Sequence, residues 1–172
     1  RPEIAARLLR QHWGIGDRPV GSILRLFESK GIRVLSLSEN TQNVDAYSFW
    51  KADRPYIFLN QKKTAERSNF DAAHELGHLV LHFHAQAESA PEDDAERQAD
   101  QFASAFLMPD ADVKNTLSHV YSSSQIIKAK IRWRVSAMAL ATRLNRLGLL
   151  SDWNYRSILI DLGRQGYRTG EP

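Results

Sequence analysis

Cysteine is absent from this sequence, and so is any apolar run near the roughly 20 residues that a membrane-spanning helix requires. Without cysteine there is no disulfide framework, and nothing suggests export. A closed structural zinc site is disfavoured too, because such sites prefer cysteine and four protein ligands. No signal peptide is visible, so the expected compartment is the cytoplasm, with no membrane contact. Internal repeats and low-complexity tracts are also missing. The first residue is Arg1 rather than Met, which points to a piece of something longer.

What is present is an ordinary globular balance. The 172 residues suffice for one domain with a real core and are short for two, with 42% hydrophobic and 25% charged residues. Charge is unevenly placed. Residues 1–85 carry +3 (12 basic, 9 acidic), 86–112 carry −7 (1 basic, 8 acidic) and 113–172 carry +7 (10 basic, 3 acidic), against a total of +3. The separation says more than the total.

Residues 1–13 and 20–29 read as amphipathic helices around the turn-prone Gly14–Pro19. Three strand candidates follow, Ile32–Leu37, Ala46–Trp50 and Tyr56–Leu59, bounded by turns at Ser38–Asn43 and Ala52–Pro55. Ala85–Asp94 reads as an acidic loop broken at Pro91, and residues 152–163 as a last helix. The tail from Arg164 is Gly-rich and is expected to be partly mobile.

The chemistry concentrates in Phe70–Phe83, FDAAHELGHLVLHF, which holds four of the six histidines with His84. His74-Glu75-Leu76-Gly77-His78 is H-E-x-x-H. On a helix, residues four apart project from one face, so His74 and His78 can reach one metal ion. Glu75 is placed to hold an activated water and take its proton. Phe70, Ala73, Leu76, Gly77, Val80 and Leu81 give the helix an apolar or small packing surface. Gly77 costs helix propensity, so it should serve close packing or leave room above the metal.

A hydrolytic zinc site needs a third protein ligand and an open position. His82 lies roughly 12 Å along the axis from His74, too far to share its ion on a straight helix. His82 and His84 therefore read as supporting, substrate-facing or surface residues. The next helix, Ala95–Met108, is closed by Pro109 and has Glu96 and Asp100 one turn apart on one side. Alone, these would be a solvated acidic face. Paired with the first motif, Glu96 reads as the third ligand, and Asp100 as acceptor for the N–H of a ligand histidine.

These two motifs, AAHELGHLVLH and E-x-x-A-D-x-F-A-S-A-F-L-M-P from Glu96 to Pro109, resemble the ImmA/IrrE family of bacterial and phage metallopeptidases. The Arg67–Phe70–His74 spacing is similar as well. A looser likeness runs from WGIGDRPV near the start to RLNRLGLL near the end. The resemblance implies His74, His78 and Glu96 as ligands and Glu75 as catalytic base, in the manner of thermolysin-type enzymes. It further implies cleavage of helix-turn-helix transcriptional repressors, derepressing phage, mobile-element or stress genes. Many such chains carry an upstream DNA-binding domain, so DNA contact would come through that domain.

Ser124–Ile131, a break at Trp133–Val135, and Ser136–Leu147 with Ser136 as N-cap read as helix, turn, helix. Lys128, Lys130, Arg132, Arg134, Arg143 and Arg146 make this segment basic. It could enter a DNA groove. The expected role of 124–147 is instead a helical cover, burying Ile127, Ile131, Val135, Met138, Leu140, Leu144 and Leu147.

The expected fold is α+β: a small sheet of three or more strands against the H-E-x-x-H helix, with a C-terminal helical subdomain. Residues 1–113 would form the metallopeptidase core and 114–172 a basic helical subdomain packed on it. The expected function is zinc-dependent endopeptidase, with Mn²⁺ or Fe²⁺ as possible occupants. The other class of reading is a transcription regulator using this fold as a ligand sensor; a glutamate at position 75 favours the enzyme. Among oxyanion-stabilising candidates, His82, His119, Tyr121 and Arg67 stay open.

Overall fold

Thr64 opens the helix on which the fold is arranged. Its side-chain oxygen accepts from Arg67 N at 3.3 Å, and α3 runs Ala65–Leu81. The helix thus begins five residues ahead of Phe70, because a hydroxyl cap and a polar first turn carry no apolar periodicity. The structure, a computed structural model, describes residues 1–37, 46–60, 63–82 and 91–172. The Ser38–Asn43 turn, Phe83, His84 and the 85–90 part of the acidic loop lie outside the described residues.

Ahead of α3 come α1 (Pro2–His12), α2 (Ile23–Ser29), β1 (Arg33–Ser36), β2 (Ala46–Lys51) and β3 (Arg54–Leu59). The sheet order is β1-β3-β2, with β1 parallel and β2 antiparallel to β3. Ala52 and Asp53 both take positive φ, 51° and 62°, so a two-residue turn joins β2 to β3. The turn is shorter than Ala52–Pro55. Pro55 joins β3 one residue before the β1 ladder starts, where its missing N–H is tolerated.

Alternation sends Ile57 and Leu59 inward, both buried beneath α3. On the opposite face Tyr47 stacks on Phe58 at 4.7 Å and Phe49 on Tyr56 at 5.2 Å. These cross-strand pairs fix the register of the antiparallel half of the sheet.

After α3 come α4 (Glu92–Leu107), α5 (Asp110–Thr116), α6 (Ser123–Trp133), α7 (Ala137–Arg146) and α8 (Asp152–Arg164). Glu92–Asp94, expected as loop, form the first turn of α4, where three carboxylates favour the positive helix end. α5 was not apparent in the apolar pattern; one buried residue, Val113, anchors it. α3 and α4 pack closely. A Cβ on Gly77 would lie 3.1 Å from Phe102 Cδ1 and 3.2 Å from Ala99 Cα, so this glycine serves close approach.

The core is continuous from α1 to the C-terminal helices, including Ala6, Phe27, Ile57, Leu76, Phe102, Phe106, Leu140, Ile158 and Leu162. Two buried arginines tie its helices together. Arg10 donates to the carbonyls of Gly16, Arg18 and Phe106. Arg143 donates to Met108 O at 3.0 Å and to Glu3 at 2.8 Å, joining α7 to α4 and α1.

The last helices follow the expected break, with Ser136 accepting from Ala139 N as the N-cap of α7. Ile131 departs from expectation, being 71% exposed. Three of the basic residues are paired with acidic groups of the same chain: buried Lys130 with Glu171 and Glu66, exposed Arg132 with Asp112, and buried Arg143 with Glu3. The tail from Arg164 is tied down, contrary to expectation. Tyr167 is buried, Arg67 donates to Arg168 O at 2.9 Å, and Glu171 is buried against Lys130. Glycine content could not reveal these anchors. No helix among the described residues is long and apolar enough to cross a membrane.

Candidate metal centre

α3 and α4 bring His74, His78 and Glu96 to one point. His74 Nε2 lies 3.1 Å from His78 Nε2 and 2.9 Å from Glu96 Oε2, and His78 Nε2 lies 2.8 Å from Glu96 Oε1. Among the described residues this is the group of histidine and acidic side chains placed to hold a metal ion. The spacing suits the donor set: bonds of about 2.0–2.1 Å in a tetrahedron put donors about 3.3–3.4 Å apart. The proton count suits it as well. His74 Nδ1–H donates to Asp100 Oδ1 at 2.7 Å, which leaves a lone pair on Nε2 facing the Glu96 carboxylate. Electron-rich atoms so close together need a cation or shared protons between them.

Electrostatics divides the two histidines. Burial works against charging His74, but the hydrogen bond and charge of Asp100, helped by Glu96 and Glu75, outweigh it and raise its pKa. The pKa of His78 is lowered, chiefly by burial and then by neighbouring His74. Glu96 is half exposed, so the centre opens toward solvent on the α4 side.

Glu75 is nearly buried, at 6% exposure, and burial raises its carboxyl pKa. Ser48 opposes that effect: its hydroxyl donates to Glu75 Oε2 at 2.5 Å and also reaches Glu75 O at 3.3 Å. Ser48 belongs to β2, an edge strand further held to α3 by Trp50 Nε1–H donating to Leu79 O at 3.2 Å. Sequence reasoning missed Ser48. Its inward position in an alternating strand was the available signal, but the pairing spans 27 residues.

Glu75 and Glu96 lie between two open cavities. One, of about 470 Å³, runs along β2 past His78 and His82; the other, of about 380 Å³, includes His74 and Asp100. A larger cavity of about 680 Å³ between α2, β1 and the β2–β3 turn contains none of these acidic or histidine residues. Of the oxyanion candidates, His82 borders the β2 cavity. Arg67, His119 and Tyr121 border neither flanking cavity. Arg67 is spent on the C-terminal segment, and His119 stacks on Tyr121 ahead of α6.

Similarity to known proteins agrees with this geometry. The family described as Peptidase M78, the IrrE N-terminal-like domain, matches residues 27–145. Among solved structures, a Mycobacterium tuberculosis transcriptional regulator is similar over 84% of this chain, with a TM-score of 0.54 and 15% identity. This chain spans 46% of that protein, and at such identity the likeness concerns the fold alone. No curated protein matches the chain.

Proposed function

The chain belongs to the IrrE N-terminal-like peptidase family, and from that premise we propose that it is a zinc-dependent endopeptidase. One observation carries the reading: His74, His78 and Glu96 converge within 3.1 Å while Glu75, next in the chain, is held by Ser48 beside them. Two imidazole nitrogens and one carboxylate oxygen suit Zn²⁺, with Mn²⁺ or Fe²⁺ as competitors. When bound, the ion supplies Lewis acidity, polarising a peptide carbonyl and acidifying water.

The protein's own groups do the rest. His74 and His78 present Nε2, and Asp100 holds His74 in the tautomer that frees it. Glu75 takes the proton of the attacking water and delivers it to the leaving amine. Its buried setting favours a carboxylate that accepts a proton readily, and Ser48 keeps it aimed. Among the described residues β2 has no strand on its outer edge, which lies beside the cavity, so an extended substrate segment adds there as a further strand.

The substrate class is a helix-turn-helix transcriptional repressor, met in the cytoplasm, on the strength of the two-motif resemblance. Any DNA contact would come through an upstream domain, as the resemblance implies. The burial and pairing of Lys130 and Arg143 support 124–147 as a helical cover. A second reading, a ligand-sensing regulator, draws on the transcriptional regulator that shares the fold.

Cleavage of a co-encoded repressor by wild type and Glu75→Gln, with metal measured in each preparation, separates the two. Cleavage by wild type and loss of about 10²–10⁴-fold in the fully metallated variant supports the enzyme. Equal rates remove Glu75 from the mechanism. No cleavage by either, with an equal response to a small ligand, gives the sensor.

A further inference from the structure

His78 also needs its far nitrogen satisfied if Nε2 is to present a lone pair. Asp100 does this for His74, and among the described residues it reaches no nitrogen of His78. Across from His78 Nδ1, at 3.2 Å, lies Nδ1 of His82, the residue that caps the C-terminus of α3. The other nitrogen of His82, Nε2, lies 3.3 Å from Gln98 Oε1 on α4. We propose that Gln98 and His82 form a two-step hydrogen-bond relay that fixes the tautomer of His78 for metal binding.

The proton count allows two directions, and metal binding selects one of them. The Gln98 carbonyl accepts from His82 Nε2–H, so neutral His82 has its lone pair on Nδ1. That lone pair accepts His78 Nδ1–H, and His78 Nε2 is left free beside Glu96 and His74. Run backwards, with the Gln98 amide donating, the proton would end on His78 Nε2 and block it. The Gln98 carbonyl supports this polarity, and His82 carries it across the gap between α4 and His78.

His82 cannot be a ligand to the same ion in this arrangement, because it faces the ring nitrogen opposite the metal side. The i,i+4 spacing explains the contact: successive histidines on one stripe are about 6 Å apart along the axis, close enough for neighbouring rings to touch. His78 and His82 ring centroids are 5.3 Å apart. The two ligand histidines thus have unlike supports, an anionic carboxylate for His74 and a neutral imidazole–amide pair for His78.

This inference rests on the metal-dependent reading above, but its test needs no turnover. Zinc affinity and stoichiometry are measured by competition with a chromophoric chelator, with thermal melting of the metal-free proteins alongside. His82→Ala is expected to weaken affinity about 10–100-fold at unchanged stoichiometry and unchanged metal-free melting. Gln98→Leu should lose less, Gln98→Glu should retain at least wild-type affinity, and His82→Ala/Gln98→Leu should be no weaker than His82→Ala alone. Unchanged affinity in His82→Ala, loss of the bound equivalent, or additive losses in the double variant would each overturn the relay. Failure of the wild type itself to bind zinc would instead overturn the metallopeptidase reading, and the relay with it.

Discussion

Lys130 Nζ lies 2.9 Å from Glu171 Oε2, and both side chains are more than nine-tenths buried. Glu171 Oε2 also faces the amide of Ala137 at the start of α7, while its Oε1 has no hydrogen-bond partner among the described residues. One pair thus pins the C-terminal segment to α6 and α7. Lys130→Met would leave a buried carboxylate with only a backbone donor. The underpaired carboxylate should cost about 1–3 kcal/mol. Urea unfolding gives the loss, and hydrogen exchange should place the loosening at 165–172. Slow exchange there at wild-type levels would mean that Tyr167 and the Arg67–Arg168 hydrogen bond hold the segment without the ion pair.

Glu96 and Asp100 make different predictions, although both lie on α4 near His74. Glu96→Ala removes a donor atom and should abolish stable binding of one zinc per chain. Asp100→Asn keeps an acceptor oxygen but loses the charge facing His74 Nδ1, so affinity should fall about 10–100-fold with stoichiometry intact. Chelator competition reads both. If Asp100→Asn titrates like wild type, the 2.7 Å contact contributes nothing to the metal.

Ser48 acts on Glu75 and not on the metal donors. Ser48→Ala is expected to leave zinc content unchanged and lower kcat about 10–100-fold through a misdirected carboxylate, with KM little altered. Ser48→Thr retains the hydroxyl and should recover most of the rate. A loss that threonine does not repair would assign the effect to packing under β2.

Acid should expose a separate link between α5 and α6. Hydrogen bonds from Arg132, against some opposition from burial and with further help from Trp133, hold the Asp112 carboxyl below its ordinary value of 3.8. A folded pKa below the unfolded one stabilises the fold fully above about pH 4. That contribution disappears as pH falls through the depressed folded value. Metal-free wild type should therefore exceed Asp112→Asn in urea stability at pH 7, and the gap should close in strong acid. A gap independent of pH would assign it to geometry and not to charge.

How much of this was legible beforehand follows from the range of each interaction. The approach of His74 and His78 follows from helical period, which needs only local sequence. Glu96 and Asp100 add a second local repeat, and close packing of α3 on α4 brings the two together. Ser48 and Gln98 have no such signature, since one comes from strand alternation and the other from a single amide in an acidic helix. Lys130 and Arg143 read as surface charge because composition does not reveal burial. Their carboxylate partners lie 41 and 140 positions away. The first turns of α3 and α4 were hidden for a related reason: polar residues and caps build them, and the apolar period starts later.

Gly77 joins the packing to the chemistry. Replacing it with alanine would favour helix by about 1 kcal/mol, which alone predicts a more stable protein. The new Cβ would meet Ala99 Cα and O at 3.2 Å, however, and backbone atoms of a packed helix cannot turn aside as a side chain can. Overpacking of this kind costs roughly 1–3 kcal/mol, so Gly77→Ala should be net destabilising. The more telling effect is on the metal centre, since α4 carries Glu96 and Asp100 three residues before and one after Ala99. Pushing α4 outward by a few tenths of an ångström lengthens every contact from those carboxylates to His74 and His78. Zinc affinity should drop even though no ligand is altered, and denaturant unfolding of the metal-free protein should show the loss of stability. An alanine variant that is both more stable and equally tight for zinc would mean that α3 and α4 can separate without cost, and that their close approach is not what assembles the site.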